Sequence, residues 1–297
     1  MTTRQQKEAL HYFKDHAENW KNKALSADQR EVNVIQQRNS FVHHVIKNSA
    51  TIKSTLDVGC GTGDLVCDIA RMGICSTGVD FANEMIDIAC ARAEKEKLEK
   101  AHFYCSSIFD FDLTKRRYDV VSANGFIEYI SLDELDQFLG LSYQALNLGG
   151  SLILGSRNRL FNIFSVNAFA LEEITNGAAI LLMREAIAVA SGATISELAT
   201  IETAPLQRPN AEHEYTGIDV STRYQFTPAQ LIKMLKGQGF TIKQIYPIHI
   251  HGVPPAFKDQ YPDIHTSISN LLHNYADEHA SVLPYSSSFM LHAKKEC

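Results

Sequence analysis

A glycine-rich turn constrains the fold of this chain more than any other feature of its sequence. The stretch LDVGCGTGDL, Leu56 to Leu65, places Gly59, Gly61 and Gly63 within five residues directly after an apolar run. A strand that ends in bare backbone and leads into a helix presents N–H groups to a ligand at the carboxyl edge of a parallel sheet. We therefore expect a ligand to approach the main chain closely at this turn.

The spacing of these glycines indicates which ligand is favoured. A dinucleotide-binding turn reads G-x-G-x-x-G, whereas the third glycine here comes only two residues after the second. Asp80 lies 17 residues after Gly63 and ends the second predicted strand, so its carboxylate can accept hydrogen bonds from both hydroxyls of a ribose. The glycines alone are also compatible with a tight turn that binds nothing. Together with a strand-end acid they favour a ligand that carries a ribose.

Strand and helix patterns alternate over residues 54–156, which predicts a parallel sheet covered by helices on both faces. Two amphipathic helices precede this region, and a helical tract with a polar loop interrupts the alternation over residues 157–222. The pattern resumes with a helix capped by Thr227, which has Pro228 in its first turn, and a strand after Gly239. The predicted strands of the alternating region are 54–59, 76–80, 101–105, 118–124 and 150–156, and the predicted helices up to there are about 4–23, about 28–48, one from about 64, 83–97 and 132–146.

Composition excludes several classes of protein. With 297 residues and 45% hydrophobic content the chain can bury a large core, and a formal charge of −6 without a basic stripe disfavours a nucleic-acid partner. The first residues lack the pattern of a signal peptide and the apolar runs are too short to span a bilayer, so we expect a cytoplasmic protein with no membrane partner. The six cysteines show no metal-ligand spacing, which predicts free thiols and no metal site.

Four stretches occur together in the order and spacing of a known family: LDVGCGTGDL, GVDFANEMIDIACARAE, YDVVSANGFIEYI and LNLGGSLILGS. On these residues the chain resembles class I S-adenosylmethionine-dependent methyltransferases over about a hundred residues. The resemblance implies an α/β fold, a Rossmann-like doubly wound and mostly parallel seven-stranded sheet whose last strand is antiparallel. It implies one domain over 1–297, made of an N-terminal helical cap (1–50), a cofactor-binding core (51–156), a helical lid insertion (157–222) and a C-terminal completion of the sheet (223–297).

The resemblance also implies which residues bind S-adenosylmethionine, whose product is S-adenosylhomocysteine. The methionine portion would lie against Gly59, Cys60 and Gly61, the ribose on Asp80, and the adenine between Phe81 and Met85. The full predicted set is Asp57, Gly59, Cys60, Gly61, Gly63, Asp80, Phe81, Met85, Ser107, Ile108, Asn124 and Gly125. The chain departs from the family twice, because Ser106 and Ser107 stand where many relatives carry an acid, and Tyr129 stands where many carry a histidine.

A sulfonium methyl group is already activated, so the protein mainly aligns the reactants and excludes water. A base is needed only if the acceptor is a hydroxyl, and the candidates are His251, His213 and His249, of which we favour His251 because a strand end is rigid. Tyr12, Trp20, Tyr129 and Arg157 are predicted to contact the acceptor, although core packing is an equally good interpretation of the aromatic residues.

The sequence therefore predicts methyl transfer to a small or carrier-linked metabolite at oxygen or nitrogen. The alternatives are a protein or nucleic-acid methyltransferase and an S-adenosylmethionine-binding protein without catalysis. The residues after the fourth strand read NGFI instead of (N/D)-P-P-(Y/F), which disfavours an enzyme that methylates flipped bases. A homodimer is compatible with the apolar tract AAILLMREAIAVA.

Overall fold

The computed structural model describes residues 4–25, 32–49, 51–207, 223–276 and 280–296. These residues form one seven-stranded sheet with the order β3-β2-β1-β4-β5-β7-β6. Neighbouring strands from β3 to β5 pair in parallel, whereas β7 is antiparallel to both β5 and β6. The strands are β1 Ser54–Val58, β2 Cys75–Asp80, β3 Ala101–Cys105, β4 Tyr118–Asn124, β5 Leu146–Arg157, β6 Thr241–Ile250 and β7 Ser286–Lys294. The predicted fold class, including the antiparallel last strand, is confirmed.

Helices cover both faces of the sheet, and short 3₁₀ helices lie at Ile127–Tyr129, Arg159–Phe164 and Ala280–Tyr285. The α-helices are α1 Arg4–Asp15, α2 Ala17–Leu25, α3 Val34–Lys47, α4 Asp64–Arg71, α5 Asn83–Lys95, α6 Leu132–Ala145, α7 Ala168–Thr175, α8 Ala179–Ala190, α9 Ile195–Thr200, α10 Pro228–Gly237, α11 Pro255–Lys258 and α12 Pro262–Ala276. The helix predicted over 4–23 is divided between α1 and α2, and the one predicted over 28–48 begins at Val34 within the described residues.

Local sequence signals explain where several helices begin. Ser131 and Glu134 form a reciprocal capping box at the start of α6, and Thr227 and Gln230 form another at the start of α10. Pro228 occupies the first turn of α10, where its missing N–H leaves no hydrogen bond unmade. The predicted helix start at Thr227 is confirmed.

The tract predicted to form a lid contributes to the main core. Leu182 and Ala186 of α8 and Leu198 of α9 are buried in the same apolar cluster as Leu231 and Leu235 of α10. This packing fixes the middle of the tract against the sheet domain. Of the described residues of the tract, only some between Arg157 and Phe169 line the crevice described below. Closure of the tract over a substrate stays a prediction.

A buried ion pair anchors the same tract. The guanidinium of Arg159 donates from Nε and Nη2 to the two carboxylate oxygens of Glu173 at 2.8 and 2.6 Å. Asn162 also donates to Glu173 at 2.8 Å, so the carboxylate is fully engaged. Arg159, which follows Arg157 closely in sequence, therefore holds the fold together and is not oriented for an incoming anion.

Two expectations from the sequence concern membrane spans and cysteines. Over the part of the chain that the structure describes, no helix combines the length and apolarity that crossing a membrane requires. Five cysteines lie in that part, namely Cys60, Cys67, Cys75, Cys90 and Cys105, and all five are free, as predicted.

Candidate active-site crevice

The carboxyl edge of the sheet opens into a crevice of about 1560 Å³. Side chains from α1, α2 and α3 lie over one part of it, and the ends of β1, β2 and β4 form its floor. Eleven of the twelve predicted cofactor residues line it, with Gly63 the exception. The prediction that this edge carries the site therefore agrees with the shape of the molecule, although the role of each residue stays a prediction.

The three glycines of the turn serve different purposes. Gly59, Gly61 and Gly63 all have positive φ angles, of 68°, 52° and 74°, which only glycine adopts without strain. A Cβ on Gly63 would lie 2.6 Å from the Phe103 ring and 2.7 Å from the Ala89 Cβ, so this glycine is required by packing. A Cβ on Gly61 would meet no heavy atom of the described residues within 4 Å, because it would project into the crevice. Gly61 is thus the bare backbone that a ligand can approach.

Asp80 joins the end of β2 to this turn. Its carboxylate accepts the backbone N–H of Gly61 and that of Ala82, each at 2.9 Å, through different oxygens. A carboxylate has about four lone-pair positions, so Asp80 can still accept a hydrogen bond from a ligand. Burial raises the pKa of Asp80, while the hydrogen bonds from Ala82 and Gly61 act in the opposite direction.

Asp57, at the end of β1, is the second acid of the crevice floor. It accepts a hydrogen bond from Ser122 Oγ at 2.7 Å. Burial raises the pKa of Asp57 to about 7, with the nearby charges of Asp80 and Asp64 adding to the effect. A ligand that brings positive charge to this edge would stabilise the ionised form of Asp57.

Apolar and hydroxyl groups form the side of the crevice next to Asp80. Met85 and Ile108 are buried, 2% and 4% exposed, and Phe81 also lines the crevice. Ser107, one of the two serines that replace the acid expected here, accepts the backbone N–H of Phe109 through its Oγ at 3.3 Å. Such a wall suits a flat apolar ring with few polar contacts.

The aromatic residues predicted to contact an acceptor separate into two groups. Trp20 and Tyr129 line the crevice. Tyr12 does not line it and instead stacks on His16, with the ring centroids 4.3 Å apart. Phe13 takes the place that the sequence assigned to Tyr12, because it lines the crevice and meets the Tyr129 ring edge-on at 5.2 Å. The aromatic residue of α1 that lines the crevice therefore comes one position after the predicted one.

Three arginines surround one buried carboxylate in the crevice. Glu128 lies 3.1 Å from Arg223 Nε, 3.5 Å from Arg38 Nη2 and 3.7 Å from Arg157 Nε. Three positive charges therefore face one negative charge, and within the described residues Arg38 Nε and Arg223 Nη1 are buried without a hydrogen-bond partner. Burial and the adjacent Arg223 lower the pKa of Arg157 to about 10, so it stays protonated at neutral pH.

Glu128 itself is a weak candidate for a base. Although burial acts to raise its pKa, the charges of Arg223, Arg38 and Arg157 prevail and hold that pKa below its usual value. Glu128 and Arg223 were not predicted from the sequence. The position of Glu128 directly before Tyr129 and shortly after β4 is a local signal that could have identified it, whereas nothing local marks Arg223.

Two of the three predicted histidines lie in the crevice. His249 and His251 line it together with His265 of α12, whereas His213 lies outside the described residues. The spacing of the cysteines predicted no metal site, and that absence stays a prediction, although the fold brings these three rings together. His265 is only 16 residues from His249 in sequence, but it lies in a separate helix, α12. Nothing in the sequence pattern indicates that α12 brings it against β6, so it was missed.

The environment of these rings does not favour the predicted base. Burial lowers the pKa of His251 to about 3, with His265 and Lys258 adding to the effect. Burial likewise lowers the pKa values of His249 and His265. A ring with so low a pKa is a weak proton acceptor, since a base works best with a pKa near the operating pH. The rings are therefore neutral imidazoles in the crevice.

Comparison with known proteins gives this crevice its chemical context. Residues 55–150 match the sequence family described as a methyltransferase domain, and this segment contains the glycine turn, Asp80 and Glu128. Over these residues the chain carries a methyltransferase domain. The chain is 28% identical over 172 residues to a protein of Coxiella burnetii named ubiquinone biosynthesis O-methyltransferase. The matched segment covers 57% of this chain and 70% of that protein.

Solved structures agree on the fold of the methyltransferase. It is similar to magnesium protoporphyrin IX methyltransferase from Synechocystis PCC 6803 with bound SAH, with a TM-score of 0.58, 14% identity and coverage of 98% of this chain and 99% of that one. It is also similar to a [4+2]-cyclase, with a TM-score of 0.57, 16% identity and coverage of 98% and 96%. Because identities this low establish the fold alone, the acceptor of the methyltransferase has to be argued from its own residues.

Proposed function

We propose that the protein transfers a methyl group from S-adenosylmethionine to an oxygen of a small acceptor that carries a negatively charged group. The observation that carries the proposal is one continuous crevice with the glycine turn and Asp80 in one part and three arginines around Glu128 in another. The relative named as an O-methyltransferase supports oxygen as the methylated atom. Methyl transfer to nitrogen is the alternative that the same crevice leaves open.

The residues of the turn fit the cofactor. Gly61 leaves open space in the crevice, Asp80 has acceptor positions left for hydroxyl groups, and the buried Asn124 Oδ1 has no hydrogen-bond partner among the described residues. Gly59 to Gly61 would hold the methionine portion, Asp80 the ribose, and Phe81 and Met85 the adenine. When bound, S-adenosylmethionine supplies a methyl group activated by positively charged sulfur.

The arginines provide the acceptor site. A buried cluster with more positive than negative charge is unfavourable unless an anion completes it, and guanidinium groups bind carboxylates with two parallel hydrogen bonds. Arg223 has an unpartnered Nη1 within the described structure, and the Tyr129 ring lies 5.4 Å from its guanidinium carbon. An acceptor carboxylate that binds here fixes both the position and the orientation of the rest of the molecule.

The chain contributes alignment and exclusion of water. Phe13, Trp20 and Tyr129 cover the part of the crevice that adjoins the cofactor residues, so the reacting groups are held in a largely apolar space. Positioning of this kind is worth up to about 7–11 kcal/mol. The excess positive charge also favours an ionised acceptor oxygen, which needs no base. This accounts for a site in which neither Glu128 nor the histidines are tuned as proton acceptors.

The proposal is tested by methyl transfer to matched acceptors. Phenols that carry a carboxylate are compared with the corresponding carboxamides, and release of S-adenosylhomocysteine is measured for each. We expect the carboxylates to be turned over and the amides to have a KM higher by roughly 10-fold to 100-fold, since a charge-assisted hydrogen bond contributes about 1.5–3 kcal/mol.

The Arg223→Gln variant should lose this preference, because it removes the charge but keeps hydrogen-bonding groups. Arg184→Gln is the matched control, as Arg184 is exposed on α8. Equal turnover of acids and amides by the unmodified protein contradicts the acidic acceptor. Cofactor binding without turnover of small molecules, peptides or nucleic acids would favour the non-catalytic alternative.

A further inference from the structure

Three histidines from two separate segments meet in the crevice. His249 is the penultimate residue of β6, His251 follows the strand, and His265 lies in α12. One ring nitrogen from each can be chosen so that all three lie within 4.8 Å of one another. His265 is 2% exposed, so the cluster is a buried feature of the fold and not a solvated group of surface rings.

Hydrogen bonds do not account for this cluster. His249 Nδ1 lies 3.1 Å from Ser287 Oγ, and His249 Nε2 lies 3.0 Å from His265 Nε2. Both ring nitrogens of His251 and Nδ1 of His265 are buried and have no partner of ordinary hydrogen-bond geometry in the described residues. A buried ring nitrogen without such a partner is unfavourable, and a bound ligand would remove that cost.

The backbone holds these rings in place at a cost. His249 has a φ angle of 53°, in the left-handed region that residues other than glycine seldom adopt. Its N–H donates to Gln37 Oε1 at 2.8 Å, and the N–H of His251 donates to Tyr285 O at 2.9 Å. Backbone strain that is fixed by surrounding hydrogen bonds is typical of functional sites.

We propose that His249, His251 and His265 bind one divalent transition-metal ion, of which zinc is the best match. Imidazole nitrogen suits zinc, copper, nickel and iron, and three histidines with a fourth position open are the donor set of a catalytic zinc site. A tetrahedral ion with Zn–N distances of about 2.0–2.1 Å holds its nitrogen ligands about 3.3 Å apart. The observed separations, 3.0 Å for one pair and at most 4.8 Å for the set, lie on either side of that value.

The neighbours of the cluster fit a ligand role. With Nδ1–H donated to Ser287 Oγ, His249 presents a bare Nε2 to the ion, and such a second hydrogen bond is usual for a metal-binding histidine. The Phe161 ring packs on His251 with centroids 4.4 Å apart and fixes its plane. A metal ion would give a bond to one ring nitrogen of His251, whose nitrogens make no hydrogen bond of ordinary geometry with the described residues.

The charges nearby indicate what completes the coordination. Lys258, Asp259 and the more distant Arg157 influence the cluster, so two positive charges and one negative charge act on it. A bound dication is therefore favoured when its fourth ligand is anionic, such as hydroxide or an ionised acceptor oxygen. The acceptor as fourth ligand rests on the proposed function, whereas binding of the metal does not.

The test is direct titration of the metal-stripped full chain with Zn²⁺ and with Co²⁺, without cofactor or acceptor. We expect one Zn²⁺ per chain by elemental analysis and a visible absorption band of four-coordinate Co²⁺. Zn²⁺ should also raise the Tm of unfolding, because the ion binds the folded state. These readouts do not depend on methyl transfer, so failure of the proposed function leaves them interpretable.

Variants assign the site. His251→Phe keeps the packing against Phe161, and both it and His265→Ala should weaken Zn²⁺ binding by roughly 100-fold or more while the circular dichroism of the fold is retained. His11→Ala is the control, because the His11 side chain is 83% exposed on α1 and should bind nothing. If His265→Ala fails to fold, zinc binding by the His251→Phe variant alone decides whether these histidines are the ligands. No zinc bound at micromolar concentration, or undiminished binding in the folded His251→Phe variant, would overturn the proposal.

Discussion

Replacing Gly61 and Gly63 separately by alanine distinguishes a glycine that binds a ligand from one that packs. Both residues have positive φ, where an L-residue costs about 1–2 kcal/mol. At Gly61 nothing of the described structure lies within 4 Å of the new Cβ, so Gly61→Ala should lose only that amount of stability. Its methyl group projects into the crevice.

The Gly63→Ala variant carries an additional cost. Its Cβ would lie 2.6 Å from Phe103 and 2.7 Å from Ala89, and overpacking of a core costs about 1–3 kcal/mol. We expect a total loss of about 2–5 kcal/mol of unfolding free energy, measured by urea denaturation. The order of the two variants in stability is thus fixed by the structure.

Cofactor binding should follow the opposite order. The methyl group of Gly61→Ala stands where S-adenosylhomocysteine would approach the backbone, and an overpacking cost of about 1–3 kcal/mol corresponds to a Kd raised by roughly 5-fold to 150-fold. Calorimetry on folded Gly63→Ala protein should show a smaller change, since Gly63 does not line the crevice. Wild-type affinity in Gly61→Ala, or equal stability of the two variants, would refute the division of roles.

Three further predictions concern charged groups. Asp80→Ala should weaken S-adenosylmethionine binding by about 1.5–3 kcal/mol in calorimetry, because it removes both ribose acceptors, and unchanged affinity would contradict the assignment. Glu128→Gln should cost about 3–5 kcal/mol of unfolding free energy in urea denaturation, because it leaves the buried Arg223 and the partly buried Arg38 and Arg157 without their carboxylate, and a loss under 1 kcal/mol would argue against the cluster. Burial lowers the pKa of His292 to about 4, so the unfolded chain takes up a proton below its ordinary pKa of 6.5 before the folded one does. Stability should therefore fall between about pH 6.5 and pH 4 by roughly 3 kcal/mol from this residue, and His292→Gln should flatten the slope of unfolding free energy against pH by about one proton.

Six of the seven strands were predictable from the sequence because their signals are local, whereas β7 was expected only from the family resemblance. The turn at Gly59 to Gly63 is specified by consecutive residues whose backbone angles only glycine adopts easily. Asp80 was predictable for the same reason, since it ends a strand that pairs in parallel with β1. Residues at the ends of neighbouring parallel strands necessarily meet at one edge.

The arginine and histidine clusters were not predictable in this way. Arg223 pairs with a carboxylate 95 positions earlier, and the pairing depends on how the chain returns after the insertion. His265 looks in sequence like one polar residue of an amphipathic helix, and only the packing of α12 on β6 brings it to His249. Contacts between distant segments carry no periodicity that a single sequence displays.

The position of the bound cofactor is central to the proposed function. A crystal structure of the unmodified protein with S-adenosylhomocysteine tests this directly. We predict that the ribose hydroxyls donate to the Asp80 carboxylate, that the amino-acid portion lies against Gly59 to Gly61, and that the sulfur faces the part of the crevice containing Arg157 and Arg223. A ligand whose ribose makes no contact with Asp80, or whose sulfur faces away from the arginines, would contradict the account.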